Sequence, residues 1–188
     1  EIGVDSDNQF FLDQGSSVPA SQAEVEGILN AVEAIYDADV DVVFALTSLI
    51  VRTAEPDPYA GDIFNRLDGL LSEWTNELAD LPRDIGHMFT GLGVDSGVIG
   101  VAYLSAVCDF DFGFGVSDVE FTDNFGTKVG LVAHEIGHNF GANHCDGAPD
   151  CKIMCSFIGG CVPDLSSFGS QEKAEIVAFI PTAACVTP

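Results

Sequence analysis

The chain has 188 residues, of which 47% are hydrophobic, enough to fill the core of one domain. Six Lys and Arg against thirty Asp and Glu give a formal net charge of −24, which should repel nucleic acids and anionic membrane surfaces, so we expect neither as a partner. The longest apolar stretch, residues 42–51, is interrupted by Thr47 and Ser48 and is far shorter than the roughly 20 residues of a membrane span, which predicts a soluble protein.

Strand and helix patterns alternate in the first half of the chain. Residues 1–7 alternate like a short strand, and Ser21 and Glu24 then have capping-box spacing at the start of a predicted amphipathic helix. Residues 40–53 are rich in β-branched side chains and end at the turn-forming EPDPYAGD, which predicts a central strand. A second helix is predicted from Asp62, where apolar residues recur on one face.

The second half begins with a run of strands. Strands are predicted at residues 85–90 and 98–106, and the glycine-rich residues 110–121 predict a hairpin or an edge strand. Helices follow at about 127–140 and 170–180. Helices that alternate with strands, followed by several strands in succession, indicate a three-layer α/β domain with a mixed sheet.

The N-terminus and the cysteines indicate an exported protein. EIGVDSDNQF has neither the basic start nor the apolar run of a signal peptide, so we expect any leader to have been removed. The cysteines are even in number and four lie within residues 145–161, which is typical of a disulfide-stapled secreted protein. A structural zinc knuckle at CKIMC, residues 151–155, is the alternative, although no second pair matches it.

Three of the four histidines lie in one segment, HEIGHNFGANH. Residues four apart share a helix face, so His134 and His138 can both reach one metal ion. Gly141 can adopt positive φ, which lets the helix stop and the chain turn sharply. The turn would bring His144 back to the same ion.

Glu135 follows the first of these histidines. It is rotated by about 100° around the helix, too far to be a third ligand but near enough to contact water on the metal. Three neutral imidazoles on Zn²⁺ leave one tetrahedral position for that water, whose pKa zinc lowers to about 7. We therefore expect Glu135 to act as general base and then to pass the proton to the leaving amine.

The length of the motif decides its specificity. His-Glu-x-x-His alone also occurs on ordinary helices as two surface histidines beside an acid, whereas Gly141 and His144 at the extended spacing favour a zinc site. Met154 lies ten residues past His144 and fits the methionine turn of the metzincin signature. The alternative for Met154 is a filler residue in a small core.

Beyond this motif, the chain resembles the adamalysin or reprolysin branch of the metzincins, which comprises snake-venom metalloproteases and the catalytic domains of ADAM proteins. EIGVDSDNQFF is similar to the first strand of that family, GVIGVAYLSAVCD to its fourth strand, LVAHEIGHNFGANH to its active-site helix and CKIM to its methionine turn. The resemblance spans nearly the whole chain. It implies one catalytic domain, 1–188, with a mixed, mostly parallel five-stranded sheet between helices in residues 1–141, and a small irregular subdomain ending in a helix in residues 142–188.

The resemblance also implies the roles of individual residues. The zinc ligands, the general base and the turn methionine would be His134, His138, His144, Glu135 and Met154. Strand 98–105 would bind the substrate backbone by strand addition. Phe157 and Ile158 would line a pocket for an apolar side chain just past the cleaved bond.

Two departures from the family pattern bear on the mechanism. The family usually has Asp after the third histidine, whereas here Cys145 precedes Asp146, which leaves the support of this segment open. Astacin-like and serralysin-like relatives have tyrosine two residues after the methionine, where this chain has Ser156. A tyrosine-switch mechanism is therefore not expected.

Similarity to the family pairs Cys108 with Cys185. The other four cysteines allow three pairings, of which we favour Cys145 with Cys151 and Cys155 with Cys161. Many members hold a structural calcium ion, for which Glu1, Asp84 and the carbonyl of Cys185 match, although Pro188 stands where a ligating Asn would be.

These observations leave three readings of the function. The first is a secreted, monomeric zinc endopeptidase that acts on proteins or peptides. The second is a non-catalytic zinc-stabilised binding or adhesion module on the same scaffold. The third keeps His134, His138 and Glu135 but takes Glu172 or Glu175 as third ligand in place of His144. The remaining histidine, His87, lies on a predicted strand and is expected to be structural.

Overall fold

The computed structural model describes residues 1–93 and 97–186. Its strands are β1 (Ile2–Ser6), β2 (Leu46–Val51), β3 (Ile85–Thr90), β4 (Gly100–Ala102) and β5 (Phe114–Asp118). They form a five-stranded sheet in the order β2-β1-β3-β5-β4. All neighbouring pairs are parallel except β4 with β5, which is antiparallel at the edge. The predicted mixed, mostly parallel five-stranded sheet is confirmed.

Helices cover both faces of this sheet. They are α1 (Asn8–Asp13), α2 (Val18–Val40), α3 (Ile63–Asn76), α4 (Phe125–Asn139) and α5 (Ser170–Phe179). Side chains alternate along each strand, so Ile85 and Phe89 of β3 pack in the core with α2 and α4, while Met88 packs in a second core under α3. The site-bearing helix α4 is thus held between the sheet and α2.

The start of α2 differs from its prediction. The helix begins at Val18, and the side chain of Ser17 caps it by accepting the N–H of Ala20 at 3.3 Å. Ser21 lies inside the helix and donates its hydroxyl to the carbonyl of Ser17, so the predicted capping box is wrong. Proline is tolerated in the first turn, where its missing N–H needs no partner, and this lets Pro19 follow the earlier cap.

Two predicted strands are shorter than expected. The segment 40–53 forms a strand only over Leu46–Val51, because α2 extends to Val40 and Asp41 then adopts a left-handed conformation. This strand, β2, lies at an edge of the sheet, so its predicted central position is wrong. The segment 98–106 forms a strand only over Gly100–Ala102. Beyond it the chain turns at Ser105, whose φ is +57°, and bonds to α4 instead of β5.

The short helix α1 was not predicted. Asp7 caps it by accepting the N–H of Phe10 at 2.7 Å. Six residues are too few to show a helical period, so the sequence carried little signal for this element.

Three disulfides tie the chain together: Cys108–Cys185, Cys145–Cys151 and Cys155–Cys161. The pairing implied by similarity and the favoured pairing of the other four cysteines are both confirmed. The zinc knuckle at CKIMC is wrong, since both of its cysteines are disulfide-bonded. Within the described ranges, no helix is long and apolar enough to cross a bilayer.

Candidate metal centre

Helix α4 is a buried, well-anchored platform for the histidine motif. The side chain of Asn124 caps its first turn by accepting the N–H of Thr127 at 3.0 Å. The buried hydroxyl of Tyr36 in α2 donates to the carbonyl of Ala133 at 3.0 Å, one residue before the first histidine. Gly141 has a φ of +85° and turns the chain after the helix, the conformation expected from the sequence.

The structure brings three imidazoles to one point. The Nε2 atoms of His134 and His138 are 3.1 Å apart, and each lies 3.2 Å from Nε2 of His144. His134 is buried, His138 is half-buried and His144 is exposed. The group therefore has a closed side toward the core and an open side toward solvent.

Backbone carbonyls fix the rings of the two helical histidines. Nδ1 of His134 lies 2.7 Å from the carbonyl oxygen of Ile153, and Nδ1 of His138 lies 2.8 Å from that of Ala142. A carbonyl only accepts, so each Nδ1 carries the proton and donates it, which leaves the lone pair on Nε2 free. Histidines that bind metal ions commonly donate their other ring N–H to a carbonyl in this way, which fixes the orientation of the ring.

Burial also keeps these rings neutral. Burial and the neighbouring imidazole of His138 lower the pKa of His134 to about 3. Burial likewise lowers the pKa of His138. A neutral imidazole is the form that binds a metal ion, so both rings are in the ligand state at neutral pH.

The donor set fits zinc. Ligand nitrogens about 2.0–2.1 Å from a tetrahedral zinc ion lie about 3.3–3.4 Å from each other, close to the spacing of these three Nε2 atoms. The three histidines form one of the groups whose ligand atoms lie within 4.8 Å of one another. Two other such groups among the described residues consist mainly of disulfide-bonded cysteines and are not free to bind metal.

Glu135 follows His134 in α4, and its side chain lies under strand β4. Its side chain is only 3% exposed. Its carboxyl group packs against the backbone of Gly100, where an added Cβ would lie 2.1 Å from Oε1. Burial raises the pKa of this carboxyl well above its usual range, so it holds a proton more tightly than an exposed glutamate does.

Met154 forms the floor of the site. It is fully buried, and its Sδ would lie 2.6 Å from a Cβ placed on Gly137, the residue just before His138. The preceding residue, Ile153, supplies the carbonyl that orients His134. One turn thus supports the helix from below and fixes a histidine ring, as the methionine-turn reading of CKIM implies.

Asp146 supports the segment that follows His144. Its Oδ1 accepts the N–H of Ser156 at 3.0 Å and its hydroxyl at 2.8 Å, and these bonds lower the pKa of Asp146. The segment after the third histidine is therefore tied to the residues just past Met154. The displaced aspartate and Ser156, both departures from the family pattern, contact each other.

The glutamates of the third reading lie elsewhere. Glu172 accepts the N–H of Lys152 at 3.1 Å, and Glu175 accepts the N–H of Asn143 at 2.7 Å. Both support the backbone next to the site. His87 is fully buried on β3 with its Nε2 3.0 Å from the Ser117 hydroxyl, and burial lowers the pKa of His87 to about 3.

The sequence reasoning missed Asn139, which links α4 to the sheet. This fully buried side chain donates to the carbonyls of Tyr103 at 2.9 Å and Phe114 at 3.0 Å. The spacing of the neighbouring histidines predicts a metal site, whereas an asparagine in a helix predicts no particular role. The one feature that could have indicated this role is a polar residue on the face of α4 that packs against the sheet.

The three residues predicted as calcium ligands lie close together. Glu1, Asp84 and Cys185 line one cavity, in which the amino group of Glu1 contacts the Asp84 carboxylate. Pro188 lies outside the described residues. Phe157 is 78% exposed and Ile158 is half-buried.

Comparisons with known proteins agree with this geometry. Residues 22–145 match the family described as metallo-peptidase family M12B, reprolysin-like. The chain is 27% identical over 182 residues to human disintegrin and metalloproteinase domain-containing protein 11, covering 92% of this chain and 22% of that protein. It is 31% identical over 163 residues to mouse disintegrin and metalloproteinase domain-containing protein 19, covering 86% and 17%. The chain thus spans about a fifth of the length of these relatives.

A solved structure is similar in fold. A chain in a structure described as a chaperone-substrate complex superposes with a TM-score of 0.67 at 14% identity, over 94% of this chain and 33% of that chain. At this identity the likeness shows the fold alone. The family match covers residues 22–145 of the 188, and on that basis the chain belongs to the reprolysin-like metallopeptidases of family M12B.

Proposed function

We propose that this chain is a secreted zinc endopeptidase, in which His134, His138 and His144 bind zinc and Glu135 is the general base. The observation that carries the proposal is the convergence of three Nε2 atoms, two of them with their lone pairs freed by backbone carbonyls. The adjacent residue in the motif, Glu135, has a buried carboxyl group that packs under strand β4.

Zinc bound in such a site acts as a Lewis acid that activates a water molecule and polarises the substrate carbonyl. Glu135 accepts a proton from the attacking water, holds it in its buried position and donates it to the nitrogen of the leaving amine. The carbonyls of Ile153 and Ala142 keep two of the rings in position throughout. Met154 supports the helix beneath them.

Strand β4 is the proposed docking edge for the substrate. It lies at the end of the sheet and pairs with β5 on one side. An extended peptide can add to the other side by backbone hydrogen bonds. We propose residues 98–105 as this edge, and Phe157 and Ile158 as the lining of a pocket for an apolar side chain past the cleaved bond.

The competing function is a zinc-stabilised binding module without activity. Glu135 argues against it, because a binding module has no need of a buried acid beside its metal ligands. The test is zinc content together with casein cleavage, with and without a chelator. We expect one zinc ion per chain and cleavage that stops on chelation and returns with zinc. Bound zinc without cleavage would support the binding module.

We also propose where the protein acts, in what oligomeric state and on what substrates. Three disulfides are stable in an oxidising compartment, which supports export. We propose that the chain acts as a monomeric domain, with residues 1–141 above the substrate cleft and 142–188 below it. Its substrates would be proteins or peptides.

We also propose calcium binding in the cavity lined by Glu1, Asp84 and Cys185. Hard cations need six or more oxygen ligands, so water would complete the shell around these groups. We expect added calcium to raise the unfolding temperature, and Asp84→Asn to abolish the increase. An unfolding temperature independent of calcium would contradict the site.

A further inference from the structure

Strand β4 approaches helix α4 more closely at Gly100 than any side chain would permit. A Cβ built on Gly100 would lie 2.1 Å from Oε1 of Glu135, 2.6 Å from its Cδ and 2.9 Å from its Cγ. Optimal contacts between non-bonded carbon atoms are about 3.5–4.0 Å. The carboxyl group of Glu135 therefore occupies the space that a side chain at position 100 would need.

Conformation does not require glycine at this position. Gly100 lies in a paired strand opposite Ser117, and its φ is outside the positive range that favours glycine. By contrast, Gly141 has a φ of +85°. Glycine is therefore needed at position 100 only because a side chain there would collide with a neighbour. That neighbour is the carboxyl group of Glu135.

Hydrogen bonds hold the backbone on both sides of Gly100. On one side of Gly100, the N–H of Asp118 donates to the carbonyl of Ile99 at 2.8 Å. On the other, Asn139 donates to the carbonyl of Tyr103 at 2.9 Å, and the next turn of chain is bonded directly to α4. The strand is thus fixed to both β5 and α4. The movable group is the end of the Glu135 side chain.

We propose that Gly100 is a positioning residue for the general base: the bare backbone of β4 forms the wall against which the Glu135 carboxyl is held beside the three histidines. The role of that carboxyl as base rests on the proposed function. A methyl group at position 100 would push the carboxyl away from the attacking water and leave the histidine group in place. Zinc binding should change little, and turnover should change greatly.

Gly100→Ala tests the role in catalysis. We expect one zinc ion per chain, KM within a few-fold of wild type, and kcat lower by about 10²- to 10⁴-fold, the usual contribution of a general base. In a Glu135→Gln background, where the base is already lost, Gly100→Ala should cause little further loss. The matched control is Gly27→Ala in α2, where the new methyl group meets only a ring atom at 3.8 Å and activity should not change.

Thermal unfolding of the metal-free chain tests the contact without any activity. Gly100→Ala should lower the unfolding temperature in the wild-type background and have a smaller effect in Glu135→Ala, where the colliding group is gone. If Gly100→Ala alone fails to fold, the double variant Gly100→Ala/Glu135→Ala should fold and bind zinc.

Three results would overturn the proposal: wild-type kcat in Gly100→Ala, losses that multiply with those of Glu135→Gln, or equal destabilisation by Gly100→Ala with and without the Glu135 side chain. A wild-type chain without proteolysis would refute the proposed function instead. The unfolding comparison would still decide whether position 100 sets the position of Glu135.

Discussion

In His134 and His138, hydrogen bonds to backbone carbonyls determine which ring nitrogen carries the proton. The motif spacing is enough to predict that His134 and His138 share a helix face, since that follows from the helical period. It does not indicate which ring nitrogen is free. The structure answers this with the carbonyls of Ile153 and Ala142, one from the methionine turn and one from the turn after Gly141.

Glu135→Gln tests the role of Glu135 as general base. Glutamine has nearly the same shape but cannot accept the proton, so we expect zinc content to remain at one per chain. The rate kcat should fall by about 10²- to 10⁴-fold. The measurement is steady-state cleavage of a quenched peptide beside metal analysis, and wild-type turnover in this variant would contradict the mechanism.

Asp118 provides a prediction about pH and stability. It is 1% exposed at the end of β5. Burial raises the pKa of Asp118 from 3.8 to about 6. Between these two pKa values the folded chain retains a proton that the unfolded chain has lost. The free energy of unfolding therefore falls as the pH rises from about 4 to about 6.

Asp118→Asn should remove this dependence. We expect its free energy of unfolding to exceed that of wild type by about 1–3 kcal/mol at pH 7, with the difference shrinking toward pH 4. Urea unfolding at a series of pH values measures this difference. The exposed Asp80→Asn serves as control and should show no such trend, and a pH-independent difference in Asp118→Asn would count against the assignment.

Among secondary-structure elements, β4 is held against α4 in part by the buried side-chain amide of Asn139. Asn139 donates to carbonyls from both sides of the β4–β5 pair. Removing both bonds from a buried site should cost about 1–3 kcal/mol, since each contributes about 0.5–1.5 kcal/mol. We therefore expect Asn139→Ala to lower the free energy of unfolding by that amount in urea titrations.

Asn76→Ala is the matched control for this loss. Its amide donates to the carbonyl of Ser72 in an exposed position at the end of α3, where water replaces the bond. Equal destabilisation by the two variants would mean that Asn139 does not bind β4 to α4 in the folded chain.

The sequence predicts the boundaries of elements, and the contacts between them, less well than it predicts the metal motif. Helix α3 begins at Ile63, one residue after its predicted start at Asp62, which caps the helix with its side chain, so local chemistry decides this boundary. Ser17 and Ser21 both suit a helix start, so pattern alone could not choose between them. The contact of Gly100 with Glu135 joins elements far apart in the chain, so neither residue indicates the other. The metal motif was predictable because all of its members lie within one helix and the turn after it.

For the molecule as a whole, one disulfide, Cys108–Cys185, links the C-terminal segment to the connection between β4 and β5. Cys108–Cys185 has a sequence separation of 77, and Cys145–Cys151 one of 6. On the chain-entropy model, closing the longer loop stabilises the fold by about 4 kcal/mol and the shorter one by about 2 kcal/mol. We expect Cys108→Ala/Cys185→Ala to lower the free energy of unfolding by more than Cys145→Ala/Cys151→Ala does.

Urea unfolding of both double variants measures this order. The shorter disulfide lies next to the metal centre, so zinc content should be more sensitive to its loss than to loss of the longer one. A larger loss of unfolding free energy from the shorter loop would contradict the entropic argument.

The proposed mechanism requires one metal ion bound by all three histidines. A crystal structure of the zinc-loaded chain, with anomalous data at the zinc edge, locates that ion directly. We predict a single strong peak within about 2.0–2.1 Å of Nε2 of His134, His138 and His144, with solvent in the fourth position next to Glu135. A His144 ring turned away from the peak, or a protein side chain filling the fourth position, would contradict the assignment as a zinc endopeptidase.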